Sequence, residues 1–248
     1  MTKSLNVFLF LIGTLFQLQI FALDKYIYPH NDIASYSNYG TIGLIQVPSA
    51  RMLSEGSLAL SWTSNSPYKR GSVVAYPFSW LEVSYQYTDI DNALYSDVPL
   101  FSGSQTFKDK SFSTKVRLLS ENFYRPEISL GFRDLAGTGI FASEYLVATK
   151  RISNFDISMG IGWGNLASNR YSNPLKNISS RFDKRTVDFD SKGGEFNLGY
   201  FFSGDIGIFG GIEYFIPNFH GARIKLEYDS TDYKKEGFPF GRDSFSLA

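Results

Sequence analysis

The chain contains no cysteine, which excludes disulfide staples and thiolate metal sites. It has only two histidines, His30 and His220, and 24 basic residues balance 24 acidic ones. Zero net charge removes the basic face that nucleic-acid binding demands. No Gly-x-Ser-x-Gly elbow, phosphate-binding loop or histidine metal motif occurs in the 248 residues. After Ala22 no apolar run approaches the roughly 18 residues that a spanning helix needs. A mature chain seated in a membrane would have to cross it with strands.

Aromatics are plentiful, at 17%, with 23 Phe, 16 Tyr and 3 Trp. Barrels in the outer membrane place such residues in girdles at both interfaces, although composition alone also fits a soluble β-sandwich. The first 22 residues are more specific. Lys3 supplies a positive start, Leu5 to Phe16 an apolar core, and Ala22 a small residue for cleavage. This reads as a signal peptide.

From residue 57 the hydrophobic period is two. Ala222, Ile224, Leu226 and Tyr228 alternate with Arg223, Lys225, Glu227 and Asp229. Leu81, Val83, Tyr85 and Tyr87 alternate in the same way with Glu82, Ser84, Gln86 and Thr88. Ten spans are expected: 57–64, 70–77, 80–88, 112–120, 126–134, 142–152, 155–164, 194–203, 206–215 and 222–229. Most have the length of a tilted spanning strand, about 9–11 residues. A one-residue slip would turn charges toward lipid at about 2–4 kcal/mol per Arg or Lys near the midplane, so register is fixed.

The links alternate in length. Phe78-Ser79, 121–125, Ser153-Asn154 and Ser203-Gly204-Asp205 are short, whereas 89–111 and 165–192 are long and polar. Segregated loop lengths are the habit of outer-membrane barrels. Thr41 to Val47 resembles another strand, but counting it as the first span would put every long loop in the periplasm. Residues 23–56 are therefore expected to be a periplasmic or lumenal lead-in, a partial plug. Phe123, Tyr124, Phe155, Phe201 and Phe202 should form one aromatic belt beside the short turns, with Trp163, Tyr214 and Phe215 at the opposite strand ends. The expected organisation is a signal peptide at 1–22, the lead-in at 23–56 and a barrel at 57–230. Residues 231–248 are then a tail or the start of a continuation.

The alternation turns one set of charges inward: Glu82, Lys115, Arg117, Glu127, Arg133, Asp156, Glu213, Arg223, Lys225, Glu227 and Asp229. They read either as a paired, plugged interior or as hydroxyl-binding groups for a polar solute or glycan. Gly160, Gly162, Gly199, Gly207 and Gly211 leave room for a bend, a plug or a ligand. His220 with Asp183, Asp188 or Asp190 could imitate a hydrolase pair, yet a solvated loop histidine accounts for it better. No catalytic residue, metal site or cofactor is expected.

Several stretches carry a resemblance to a known family. They are Gly43-Leu-Ile-Gln-Val-Pro-Ser-Ala-Arg-Met52, Trp80-Leu-Glu-Val-Ser-Tyr-Gln-Tyr-Thr-Asp-Ile90, and Gly131-Phe-Arg-Asp-Leu-Ala-Gly-Thr-Gly-Ile-Phe-Ala-Ser-Glu-Tyr-Leu-Val-Ala-Thr-Lys-Arg151, followed by Phe155-Asp-Ile-Ser-Met-Gly-Ile-Gly-Trp-Gly164. Over about residues 40–230 the chain resembles the YjbH family of exopolysaccharide-associated outer-membrane proteins, which are related to the capsule protein GfcD. The resemblance implies an all-β, antiparallel transmembrane barrel of about ten strands or more in the outer membrane. Family members are generally longer, so the chain is expected to match an N-terminal portion. The implied role is non-enzymatic assistance to exopolysaccharide export or assembly. Its partners would be outer-membrane lipid, polysaccharide and periplasmic export proteins. Arg133 and Asp134 are the leading candidates for glycan contact, with Glu82, Lys115, Arg117, Arg223, Lys225 and Glu227 behind them. A general diffusion channel or purely structural barrel, and after these an outer-membrane hydrolase, are the competing expectations.

Overall fold

A computed structural model describes residues 34–96, 98–168, 170–185, 200–217 and 221–233. The signal-peptide segment, both histidines and all of 186–199, with Asp188, Asp190 and Gly199, lie outside the described residues. Everything below belongs to the unit that begins at Ala34.

Nine strands form one antiparallel sheet in chain order. They are β1 (Leu58–Asn65), β2 (Tyr68–Phe78), β3 (Leu81–Leu94), β4 (Thr106–Leu119), β5 (Glu127–Ala136), β6 (Ser143–Ile152), β7 (Phe155–Trp163), β8 (Ile206–Phe215) and β9 (Arg223–Tyr228). A single helical turn, α1 (Pro99–Ser102), sits between β3 and β4. Among the described residues no helix is long and apolar enough to cross a membrane.

The period-two pattern forms these strands because it offers each face of the pleat one kind of side chain. Down β2 the burial alternates without a break from Tyr68 to Tyr76, and down β7 Asp156, Ser158 and Gly160 are buried while Phe155, Ile157 and Met159 are not. Nine of the ten expected spans are strands, seven of them within two residues of their expected limits, while β3 and β4 each run six residues further at one end. The tenth, 194–203, is corrected where it is described: Tyr200–Ser203 forms a turn, and β7 pairs directly with β8 from Phe155↔Tyr214 to Trp163↔Ile206. That pairing leaves no room for a strand between them. The loop expected at 89–111 is also shorter, because β3 and β4 continue past Thr88↔Asp109 to Ile90↔Phe107. A cross-strand Lys108–Asp89 ion pair and the fully buried Ile90 hold that extension.

Removing one strand changes the sides of later links. Links 79–80, 120–126, 153–154 and 216–222 share one end of the sheet, and 66–67, 95–105, 137–142 and 164–205 share the other, which carries the two longest. Ser203-Gly204-Asp205 therefore belongs to the long-loop end. The expected aromatic belts are corrected accordingly. Phe155 packs on Tyr214 at the short-turn end, with ring centroids 4.7 Å apart, and stacked Phe78–Trp80 lies there too. Phe202 meets Trp163 at the long-loop end (5.2 Å), and Phe201 meets Phe132 (5.5 Å).

Among the described residues the sheet is not closed: β1 pairs only with β2, and β9 only with β8. Flat, nine strands would span roughly 38 Å at a spacing of ~4.8 Å. Yet Thr63 of β1 donates to the Asn38 carbonyl (2.7 Å), Asn38 N–H donates to the Ile45 carbonyl (2.7 Å), and Ile45 N–H donates to Glu227 of β9 (2.8 Å). Three hydrogen bonds in series join the two edge strands, so the sheet curls around the segment that precedes it.

Candidate functional site

The inner face is polar and the outer face apolar, the reverse of a soluble sheet packed on a core. Arg70 and Lys115 are among the largest fully buried side chains, while Leu58, Leu60 and Trp62 are 69, 78 and 71% exposed. What lies against the inner face is the lead-in, residues 34–57. Thr41–Val47 is no strand; it makes isolated bridges, Tyr36↔Ile42 and Gly43↔Pro48, and winds across the sheet.

A segment without secondary structure leaves its backbone groups unpaired, and buried they must find partners. The inward charges supply them. Glu227 accepts the N–H groups of Ile45 (2.8 Å), Gln46 (2.9 Å) and Val47 (3.3 Å). Lys225 donates to the carbonyls of Tyr36 (3.0 Å), Gly43 (3.0 Å) and Leu44 (2.8 Å). Arg133 donates to the Gln46 carbonyl (2.8 Å) and lies over the Tyr39 ring at 4.1 Å. Lys115, 1% exposed, reaches the carbonyl of Arg51 (2.8 Å), those of Ile42 and Ser49 (3.4 Å each) and the Glu82 carboxylate (3.1 Å).

Neutral groups complete the set. Ser129 donates to the Ala50 carbonyl (2.9 Å), Ala50 N–H donates to Thr149 (2.8 Å), and Gln86 donates to the Tyr39 carbonyl (2.5 Å). Ser35 donates to Glu213 (2.7 Å), which Arg223 also engages at 3.2 Å. Every strand from β1 to β9 gives the lead-in at least one polar contact. Three of the inward glycines receive side chains: Phe209 fills the space at Gly160, Leu166 that at Gly162 and Leu44 that at Gly211. A cavity of about 20 Å³ beside Tyr39, Gln86 and Arg133 has room for roughly one water molecule.

At the short-turn end the lead-in contributes the charge. Arg51 makes a two-point contact with Asp156 (2.9 and 2.6 Å) and reaches Glu127 (2.9 Å) and Glu121 (2.6 Å). Burial opposes its charge, but Asp156, Glu121 and Glu127 outweigh that and hold the guanidinium protonated more firmly than usual. Glu121, in the turn after β4, feels burial in the opposite sense; Arg51, the Arg151 N–H and Lys150 together hold its carboxyl below the ordinary range. Arg117 completes the group through Glu127 (2.6 Å) and the Ser79 carbonyl (2.6 Å).

With this geometry in place, comparison with known proteins is direct. The YjbH family, described as exopolysaccharide biosynthesis protein YbjH, matches residues 35–244. The chain belongs to the YjbH family. A relative, the uncharacterized lipoprotein YjbH of Escherichia coli (strain K12), is 40% identical over 210 residues, covering 84% of this chain. The chain spans 30% of that relative's length. No solved structure matches.

In this YjbH-family chain the structure gathers seven of the eight candidate residues around the lead-in. Glu82, Lys115, Arg133, Lys225 and Glu227 lie directly against it or its ion pairs, while Arg117 and Arg223 brace Glu127 and Glu213. Asp134 stands apart, turned toward the 137–141 loop. Sequence reasoning missed Arg51. Its signal was a lone cation in the apolar motif Gly43–Met52, ahead of strands carrying inward acids.

Proposed function

We propose that this chain forms the lead-in-filled part of an outer-membrane β-barrel that assists exopolysaccharide export or assembly without catalysing a reaction. The carrying observation is the inverted polarity of the sheet. Leu60, Trp62, Met159 and Leu226 are 68–78% exposed on the outside, while Arg, Lys, Glu and Asp are buried within. Water disfavours such an exterior, and lipid solvates it.

Lipid cannot satisfy the free edges of β1 and β9. Both strands run in the same direction, so closure by antiparallel pairs throughout requires an odd number of further strands between them. The lead-in supports a plugged rather than an open conduit, since it makes polar contacts with all nine strands. Family membership supports the link to exopolysaccharide, and the relative's description as a lipoprotein supports export and membrane association.

Brominated lipid tests the membrane assignment. Reconstituted protein should lose Trp62 fluorescence to bromine placed on the acyl chains; unquenched emission with full solubility in buffer would sink it. Surface polysaccharide tests the role. Arg133→Ala with Arg223→Ala should reduce it at unchanged barrel abundance, and unaltered polysaccharide would count against assistance. Planar-bilayer recordings should show no steady conductance for the wild-type chain.

A further inference from the structure

Between β7 and β8 the described residues 164–185 carry charge of mostly one sign. Arg170, Lys176, Arg181, Lys184 and Arg185 stand there against a single acid, Asp183. Arg185 is committed to the fold: it makes a two-point contact with the buried Glu144 (2.8 and 3.0 Å) and ties the loop to β6. The other four cations are exposed. On the strands, Lys69 meets Asp91 (2.9 Å) and Lys150 meets Glu121 (3.0 Å). On this loop Lys176 and Lys184 have no such partner among the described residues, and Arg170 reaches Asp232 only at 3.6 Å.

The segment that carries them is ordered. Asn173 Nδ2 donates to the carbonyls of Phe182 (3.2 Å) and Phe202 (2.7 Å), and Gly204 N–H donates to Phe182 as well (3.0 Å). These bonds hold two short helical turns together, Pro174–Asn177 with Lys176 and Ser180–Phe182 with Arg181, and Lys184 follows two residues later. Tyr171 exchanges main-chain hydrogen bonds with Ile206 (2.8 and 2.9 Å), yet the residue is 50% exposed, next to Arg170. Solvated cations on a fixed frame, with an open aromatic ring beside them, suit an extended polyanion built of rings. A guanidinium matches a carboxylate through two parallel hydrogen bonds, and an ammonium does so as a point charge. A tyrosine offers a flat apolar face with a polar edge, against which the C–H face of a pyranose packs.

We propose that Arg170, Tyr171, Lys176, Arg181 and Lys184 form a binding surface for an acidic polysaccharide, its carboxylates paired with the cations and a sugar ring packed on Tyr171. The inference rests on the exopolysaccharide reading above and adds the sign of the glycan's charge and its place on the protein. A neutral glycan would gain nothing from four solvated cations, whereas an acidic one collects several of them along one chain.

Titration calorimetry of the full chain in neutral detergent tests this with three probes: polygalacturonate, neutral dextran and polyglutamate. Polygalacturonate should bind, dextran should not, and salt at about 0.5 M should weaken the binding about tenfold by screening. Lys176→Gln, Arg181→Gln and Lys184→Gln combined should also weaken it about tenfold, with the unfolding midpoint unmoved because all three side chains are exposed. Tyr171→Ala should lower affinity for polygalacturonate and leave the weaker binding of polyglutamate unchanged. If a variant fails to fold, the wild-type chain still decides through the three probes and the salt dependence. Absent polygalacturonate binding, binding unchanged in the triple variant, or equal affinity for polyglutamate would overturn the proposal. Neutralisation of the cations by Asp188, Asp190 and Glu195, which follow in sequence, gives the first of these results. Surface polysaccharide that falls in the Arg133 and Arg223 variant while no acidic glycan binds would overturn this inference and leave the assisting role standing.

Discussion

The lead-in is held in two different ways along its length. Near Arg51 it is fixed by its own side chain, one guanidinium set among the carboxylates of Asp156, Glu127 and Glu121. Between Tyr36 and Val47 it is fixed by its backbone, whose amides and carbonyls meet Glu227, Lys225 and Arg133. The first anchor reads residue identity; the second reads main-chain conformation. A single substitution in the lead-in can therefore destroy the first, whereas the second yields only to changes in the sheet or to a collision.

Arg51→Ala should have the largest effect. It leaves Asp156 without its cation in a buried place and strips one of two cations from Glu127 and from Glu121, and loss of one partner from a buried pair costs about 3–5 kcal/mol. Chemical unfolding in detergent would measure this, and a loss below about 1 kcal/mol would erase the distinction between the anchors. Gly211→Ala attacks the backbone-held stretch by collision. Its new methyl would stand 2.3 Å from the Leu226 carbonyl oxygen and 2.7 Å from Leu44. Overpacking of that kind costs about 1–3 kcal/mol, and the same unfolding assay would show it.

Glu227→Gln should do less. The amide keeps an acceptor for one lead-in N–H but loses the charge that strengthens the others, worth about 1 kcal/mol. A loss equal to that of Arg51→Ala would mean that the two anchors are one. The smallest effect concerns pH. The Glu121 carboxyl is held below its unfolded value, so its contribution is complete above an unfolded pKa of about 4.3 and vanishes as pH falls through the folded value. Unfolding midpoints between about pH 5 and 3 should fall with acid, and Glu121→Gln should flatten that part of the curve.

The two faces of the sheet were legible in the residues because a period of two needs only local order. Ala222 to Asp229 announced its outward and inward rows, and the charges named as inward lie toward the inner face, but Arg70, Asp109 and Glu144, buried as well, were not among them. The partners of those charges were not legible. Nothing near Lys115 in sequence indicates that carbonyls of Ile42, Ser49 and Arg51 surround it, since that pairing depends on how the sheet curls. The loop-length rule kept Thr41–Val47 out of the strand count. The same rule misled at Ser203-Gly204-Asp205, where turn-forming residues within a long loop imitated a hairpin. Asp134 was singled out beside Arg133, yet the two part company because a positive φ directs the acid away from the lead-in.

Lys115 carries a consequence for assembly. Its ammonium is nearly sealed from solvent and takes its neutral partners from carbonyls on the lead-in. A sheet formed without the lead-in would leave that cation to water and to Glu82 across the strand pair. The seal over Lys115 is complete only when Ile42, Ser49 and Arg51 and β4 are all in place. Drying of this ammonium therefore marks the moment at which the sheet has captured its contents.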